Sequence, residues 1–315
     1  MTGFLIRRVG QSIVVVFIVS VIVFVLLHLL PGGIAQASLG ARATPEKIAH
    51  FNHINGYDKP IPVQYAIWAW GLLHGDLGYS YHLNRPVIGI IADRLPKTLV
   101  LTVMSLVLAL IIAVPIGIAQ AVRRNGIGDY VLTAVAFIFY ASPPFFLSLL
   151  MVLWFSLDLK VLPAQAPQGN TLAEIFSQPK AVVLPVVSFG LLIFALFSRY
   201  MRSSVMDNLV QDYVRTARAK GAGKRRVLYG HVLRNSLVPL ATLLGLYLPL
   251  LFAGALIVES VFNYPGMGLL FWQEAQVSDY PVLLGVALIF GVMTVVGNLL
   301  ADIAYAVLDP RVRYT

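Results

Sequence analysis

The stretch DYVRTARAKGAGKRRVLYGHVLRN (residues 212–235) decides how the chain is read, because it cannot enter a membrane yet lies between two of the most apolar runs present. It holds seven Arg or Lys residues against one Asp, in a chain of which only 12% is charged. Each Arg or Lys costs about 2.5–3.5 kcal/mol at a bilayer centre, so seven cost about 20 kcal/mol. The flanking runs therefore read as membrane helices, and the basic segment as the loop they leave outside the lipid.

Composition agrees. The chain has 315 residues, is 58% hydrophobic and carries a net charge of +9, with a mean hydropathy of +0.81. A soluble domain carries about 25% charged residues, roughly twice the fraction here. There are no cysteines, which excludes disulfides, thiolate catalysis and Cys-based metal sites. Six apolar segments suit membrane crossing: roughly 11–30, 98–122, 130–157, 181–201, 237–258 and 282–308. Each approaches or exceeds the ~20 residues that a ~30 Å hydrocarbon core requires. The first is preceded by Arg7 and Arg8 and followed by Ala35-Gln36-Ala37, as in a cleaved signal. Its run from Ile13 to Leu30 is longer than a signal core, so it reads as a retained helix.

Charge sets the expected orientation. With the N-terminus inside, 15 basic residues fall on the inner side and 8 on the outer, while nine of the acids fall outside. The +9 is thus a topology signal, and both termini are expected in the cytoplasm. The expected organisation is a first helix with a long extracytoplasmic loop (1–97), a five-helix core (98–308) and a cytoplasmic tail (309–315). No repeat or low-complexity linker divides the chain. Within the outer loop, VQYAIWAWGLLHG (63–75) reads as an amphipathic interfacial helix carrying Trp68 and Trp70. Pro115, Pro143, Pro144, Pro185, Pro239 and Pro249 fall within spans and favour bending.

The basic segment itself reads as helix, glycine break, helix. Tyr213-Val214, Ala217 and Ala219 suit a short helix, Gly221-Ala222-Gly223 a bend, and Val227, Leu228, Val232 and Leu233 form an apolar stripe beyond it. A nucleic-acid patch is rejected, since neither aromatic stacking residues nor a DNA-binding motif accompanies it. On the residues alone, docking of a cytoplasmic partner and an ordinary basic loop against lipid head groups stay equally open.

RTARAKG (215–221) resembles the permease signature of ATP-binding-cassette importers, Glu-Ala-Ala, three residues, Gly, with Ile-x-Leu-Pro nine residues on. Here Ala217, Gly221 and Leu233 are kept, while the Glu, Ile and Pro are replaced by Arg215, His231 and Arg234. The form DYVRTARAKG…RRVL…HVLRNSLVP is similar to the peptide and nickel branch. So are LIRRVGQSIVVVFIVSVIVFVLLHLLPGG (5–33), DKPIPVQY (58–65), HGDLGYSY (74–81), RLPKTLVLT (94–102), VESVFNYPGMG (258–268), DYPVLLG (279–285) and DPRVR (309–313). The series covers nearly the whole chain and resembles the first permease subunit of dipeptide or oligopeptide importers.

The resemblance implies an all-α, six-helix type I importer permease in a prokaryotic plasma membrane. It implies one half of a heterodimeric two-permease pore for peptides, or for a related cargo such as a nickel chelate, glutathione or heme. Its implied partners are two cytoplasmic ATP-binding subunits, which carry the ATP and Mg, and an extracytoplasmic substrate-binding protein. The implied coupling residues are Arg215, Thr216, Ala217, Arg218, Gly221, Ala222, Arg225, Arg226 and Leu233. Glu259, Tyr264, Pro265 and Gly266 are the gating candidates. The sequence holds no phosphate-binding GxxxxGK[ST] loop, so no cofactor is expected on this chain and no catalytic residue.

Other constellations read as structural. His50 and His53 share a helix face but lack a completing carboxylate pair, and no metal is expected. Glu259 and Asp302 sit near span ends, where capping or packing accounts for them, and Asn298 is placed to bond Asp302. Ser12, Ser20 and Ser105 have no His/Asp partner in reach by spacing, so a serine hydrolase is not supported. A self-sufficient secondary transporter is the rival reading, but inverted repeats and midplane charges are missing from the sequence.

Overall fold

A computed structural model describes residues 2–28, 35, 39, 43–169 and 171–308, with the side chains of 2–6, 26–28, 246, 248–250, 252–254 and 300–308 outside the description. The 309–315 tail, the bond between Asn298 and Asp302, and most of 29–42 therefore lie outside the described residues.

Helix α1 (Thr2–His28) is followed by α2 (Pro45–Asn55), α3 (Ile61–Leu73) and a two-stranded antiparallel hairpin, β1 (Tyr79–Ser80) and β2 (Arg85–Pro86). Then come α4 (Val87–Val122), α5 (Ile127–Ala141) and α6 (Pro144–Met151), the last continuing as a π-helical turn over Val152–Asp158. Short α7 (Leu172–Phe176) leads to α8 (Pro179–Leu209). The basic segment forms α9 (Asp212–Ala219) and α10 (Lys224–Val227), which passes through a π-helical Leu228–Val232 into α11 (Leu233–Val261). The chain closes with α12 (Met267–Val277) and α13 (Tyr280–Leu308).

Among the described residues four helices are long and apolar enough to cross a membrane, or five when α5 and α6 are taken as one span. The expected fifth span is α11, whose 29 residues measure about 43 Å at 1.5 Å rise per residue. The expected continuous span over 130–157 is instead broken, with its halves bent by 108°. Pro143 and Pro144 are the cause: the residue before a proline is pushed out of the helical region. Ser142 is accordingly extended, and its hydroxyl closes the α5 end by donating to the Ile138 carbonyl at 2.7 Å. The second helix also begins at Val87, well before the expected residue 98, and carries Pro96 inside it.

The centre of the bundle is the α4–α8 pair, the most extensive helix contact present. Ser105, Ala109, Ala113, Gly117 and Ala121 recur every fourth residue along α4 and are buried. A Cβ at Gly117 would lie 2.9 Å from the Ser198 carbonyl of α8, and one at Gly190 3.2 Å from that of Ser105. Such small-residue stripes let backbones approach closely where lipid supplies no hydrophobic drive between helices. Phe194, Phe197, Met201 and Val205 of α8 fill the space around the stripe.

Helix α3 corrects another expectation. It is not amphipathic, since its exposed side carries Ile61, Val63, Ile67, Trp70 and Leu73. Its other side lies on α1, where Phe24 meets both Tyr65 and Trp68 at 5.4 Å and Ser20 shares a 2.7 Å hydrogen bond with the Tyr65 hydroxyl.

Candidate functional site

The two ends of the bundle are built differently. At one end α9 and α10 form an elbow. Gly221 takes a left-handed φ of 83°, a conformation that costs a side-chain-bearing residue about 1–2 kcal/mol. The Gly221 N–H donates to the Arg218 carbonyl at 2.9 Å and the Ala222 N–H to that of Ala217 at 3.1 Å. These paired bonds are the usual glycine stop of a helix. A Cβ at Gly221 or Gly223 would meet nothing within 4 Å, so the tip is open.

The elbow's apolar residues face its own bundle. Val214, Val227 and Val232 are buried in the main core, and Ala217, Ala222, Leu228 and Leu233 pack against it. The apolar stripe is thus an anchor to the chain's own bundle, which leaves the opposite, polar side facing outward. That side presents Arg215, Thr216, Arg218, Gly221, Arg225 and Arg226. Arg215 makes only a 3.5 Å exposed contact with Asp212, and Arg218, Lys220, Lys224, Arg225 and Arg226 have no ion pair among the described residues. Five cations held side by side without counter-charges form a strong positive field.

The base of the elbow is braced. Asp129 on α5 is buried and accepts from Arg202 Nε at 2.9 Å and Nη2 at 2.8 Å, and from the Asn125 N–H at 3.0 Å. Arg202 stands two turns before the end of α8, so this bidentate pair fixes the helix that feeds the elbow. Sequence reading missed it because Asp129 and Arg202 are 73 positions apart.

At the far end the chain is closed by a clasp. Glu259, fully buried, accepts from the Gly268 N–H at 2.6 Å and the Leu269 N–H at 3.3 Å, and so caps the start of α12. A Cβ on Gly266 would collide with the carboxylate, and one on Gly268 with the backbone of Leu256 on α11, so the first glycine admits Glu259 and the second lets α12 approach α11. Thr98 Oγ1 accepts from the Met267 N–H at 2.8 Å, and the Tyr264 hydroxyl donates to the Lys97 carbonyl at 3.0 Å. Lys97 Nζ in turn donates to the Gly169 carbonyl at 2.8 Å, and the Ala166 N–H to that of Phe262 at 2.8 Å. The gating candidates Glu259, Tyr264, Pro265 and Gly266 therefore come together in one buried knot joining α4, the α6–α7 loop, α11 and α12.

His50 and His53 form no joint site: His53 pairs with Asp58 at 2.8 Å, which holds the Asp58 carboxyl below its ordinary value. The structure instead gathers His82, Glu274 and Asp279, with ligand atoms within 4.8 Å of one another. His82 is bonded to Glu274 at 2.9 Å and Asp279 accepts from Ser80 at 2.5 Å, so the group pins the hairpin to α12 and α13. Burial pushes the Glu274 carboxyl up, and the His82 hydrogen bond opposes that shift.

A family profile described as binding-protein-dependent transport system inner membrane component matches residues 113–314, and its N-terminal counterpart matches residues 1–102. The chain belongs to this family. It is 37% identical over 316 residues to the oligopeptide transport system permease protein AppB of Bacillus subtilis, with the whole of both chains covered. It is 37% identical over 314 residues to the glutathione transport system permease protein GsiC of Pectobacterium atrosepticum, again covering both chains completely. Among solved structures, a chain of the inward-facing MetNI methionine ABC transporter superposes with a TM-score of 0.56 at 16% identity, covering 70% of this chain and 97% of that one. This likeness carries the fold alone. The protein is a multi-pass inner-membrane permease component with the type I importer permease fold.

Proposed function

We propose that this permease component forms one half of a translocation pathway for small peptides and is driven by ATPase subunits seated on its basic elbow. The observation that carries the reading is the elbow's division of labour: apolar residues anchor it to the bundle, while five cations without an ion pair among the described residues and an open glycine tip face outward. A lipid-facing basic loop needs neither a fixed bend nor a buried anchor. An acidic groove on a soluble protein fits both.

In this reading the elbow end is cytoplasmic, as are both termini, and the clasp is extracytoplasmic. A second permease subunit completes the pore, two ATP-binding subunits bind ATP and Mg, and a substrate-binding protein delivers cargo to the clasp side. In this reading the chain needs no cofactor or metal of its own. The relatives named for oligopeptide and glutathione transport both handle peptides, which favours a peptide cargo here.

The mechanism follows from what is rigid and what is not. The α4–α8 pair is close-packed and moves as a unit. The helix direction changes by 108° at Pro143, and the π-helical turns at Val152–Asp158 and Leu228–Val232 are irregular points where a helix can bend. ATP draws the two ATPases together, the elbow travels with them, and the brace at Arg202 and Asp129 passes the displacement into α8. Substrate and ATP then bias one two-state element from opposite ends, as coupling requires.

Reconstitution tests this. The chain with its partner permease, ATPases and binding protein is expected to accumulate labelled dipeptide in vesicles only with ATP. Uphill uptake by the isolated chain without nucleotide would overturn the proposal and restore the secondary transporter.

A further inference from the structure

At the far end, between α1, α3, the hairpin and the start of α13, lies a cavity of ≈ 460 Å³. That volume is in the range of small-molecule sites, which are mostly apolar with a few placed polar groups. Five of its lining residues are aromatic: Phe24, Tyr57, Trp68, Tyr79 and Tyr81. Among the described lining residues the only charged one is Asp76.

The polar atoms around the cavity are not equally committed. Tyr79 donates to Asn84, Tyr81 to Asn55, and Gln64 Nε2 to the Tyr57 and Lys59 carbonyls. Asp76 uses Oδ1 to accept from the Gly78 N–H at 2.8 Å, and its Oδ2 has no partner among the described residues. The Tyr57 hydroxyl likewise has no hydrogen-bond partner among the described residues, and burial pushes its phenol up to about 12. The cavity thus offers aromatic rings, one carboxylate oxygen without a partner among the described residues and one phenol hydroxyl.

That inventory selects by charge. Aromatic faces and a carboxylate attract cations, whereas an anion would meet no described basic lining residue. The apolar walls favour a cation with a hydrocarbon body over a hydrated metal ion. We infer that this cavity binds an organic ammonium with an apolar body, the ammonium at Asp76 and the body among Trp68, Tyr57 and Phe24. Two sources share that chemistry: a free alkyl- or arylalkylammonium, such as the amino end of a short peptide, and an aminophospholipid head group. The inference does not depend on the elbow or on the transport reading.

Calorimetric titration of the purified full-length chain in detergent tests it, with phenethylammonium as probe and 2-phenylethanol as its neutral match. Phenethylammonium is expected to bind about tenfold more tightly than the alcohol, and Asp76→Asn to erase that preference while leaving the alcohol's affinity unchanged. Trp68→Leu is expected to weaken both. Because Trp68 also packs on α1, its helicity and thermal midpoint are measured alongside, and Asp76→Asn, at an exposed position, stands as the independent variant. Equal affinity for the two probes, no binding of either, or a preference that survives Asp76→Asn would overturn the site. Mass spectrometry of the intact protein from nanodiscs of phosphatidylethanolamine and phosphatidylglycerol separates the sources. Retained phosphatidylethanolamine that Asp76→Asn releases assigns the site to lipid. Probe binding without retained lipid assigns it to a free ammonium.

Discussion

The elbow and the clasp occupy opposite ends of the same bundle, and both are rich in polar groups and glycines. Their polar groups are spent in opposite ways. In the clasp, the Glu259 Oε2, the Thr98 hydroxyl, the Tyr264 hydroxyl and the Lys97 ammonium each bond a partner within the chain, while the buried Glu259 Oε1 has none among the described residues. In the elbow, five cations have no counter-charge among the described residues, and the glycine tip touches nothing. The glycines differ likewise. Gly266 lets a carboxylate approach, Gly268 lets the Leu256 backbone approach, and Gly221 turns the chain. A polar group already satisfied stabilises the fold, and one left unsatisfied in solvent is available to something else. Changes in the clasp should therefore unfold the chain, and changes on the elbow's outer side should disable it while it stays folded.

The largest expected effect on stability lies between the two, at the brace. Arg202→Ala leaves Asp129 buried without its counter-charge and is expected to cost about 3–5 kcal/mol in reversible unfolding in detergent. A loss under about 1 kcal/mol would mean that water already satisfies Asp129. In the clasp, Glu259→Ala strands the Gly268 and Leu269 N–H groups and leaves a cavity, for an expected loss of about 3 kcal/mol. An elbow-like outcome, with stability kept and uptake lost, would make Glu259 a moving part and break the contrast.

On the elbow the readout changes from stability to transport. Gly221→Trp has room for its side chain and is expected to cost only about 1–2 kcal/mol through its backbone conformation. Uptake is expected to fall at least about tenfold, because the tip can no longer enter a groove. Replacing Arg225 and Arg226 together by Ala should leave stability within about 1 kcal/mol while reducing ATPase co-purification. The smallest effect belongs to Asp58. Its carboxyl is held low by His53, so its contribution is present above the unfolded carboxylate value and lost as pH falls through the lower folded one. His53→Ala should remove that acid-side decline from the thermal midpoint measured below about pH 4.

The membrane class, the helix–glycine–helix elbow and its exposed cations were legible in sequence because hydropathy, charge and glycine act locally. The direction of the stripe through Val227 and Val232 was not, since a helical period says that one face is apolar and not what covers it. The bend at Pro143 was placed but its size was missed, since prolines mark bends without setting how sharp they are. The Asp129–Arg202 pair and the group of His82, Glu274 and Asp279 join residues 73 and 192 or more positions apart, and no local pattern announces them. Glu259 as a cap had a local signal in the glycines seven and nine residues on, whose tolerance for close approach fits a carboxylate.

Because the chain contains no cysteine, a single one introduced as Arg225→Cys reports on the elbow without background, with Arg85→Cys at the far end as control. Maleimide labelling of the two, in the isolated chain and in the complex with its ATPases, tests the central claim most directly. Protection of position 225 on assembly, with crosslinks to the ATPase and unchanged labelling at 85, is the result expected. Equal labelling of position 225 in both states would show that nothing grips the elbow and would contradict the account.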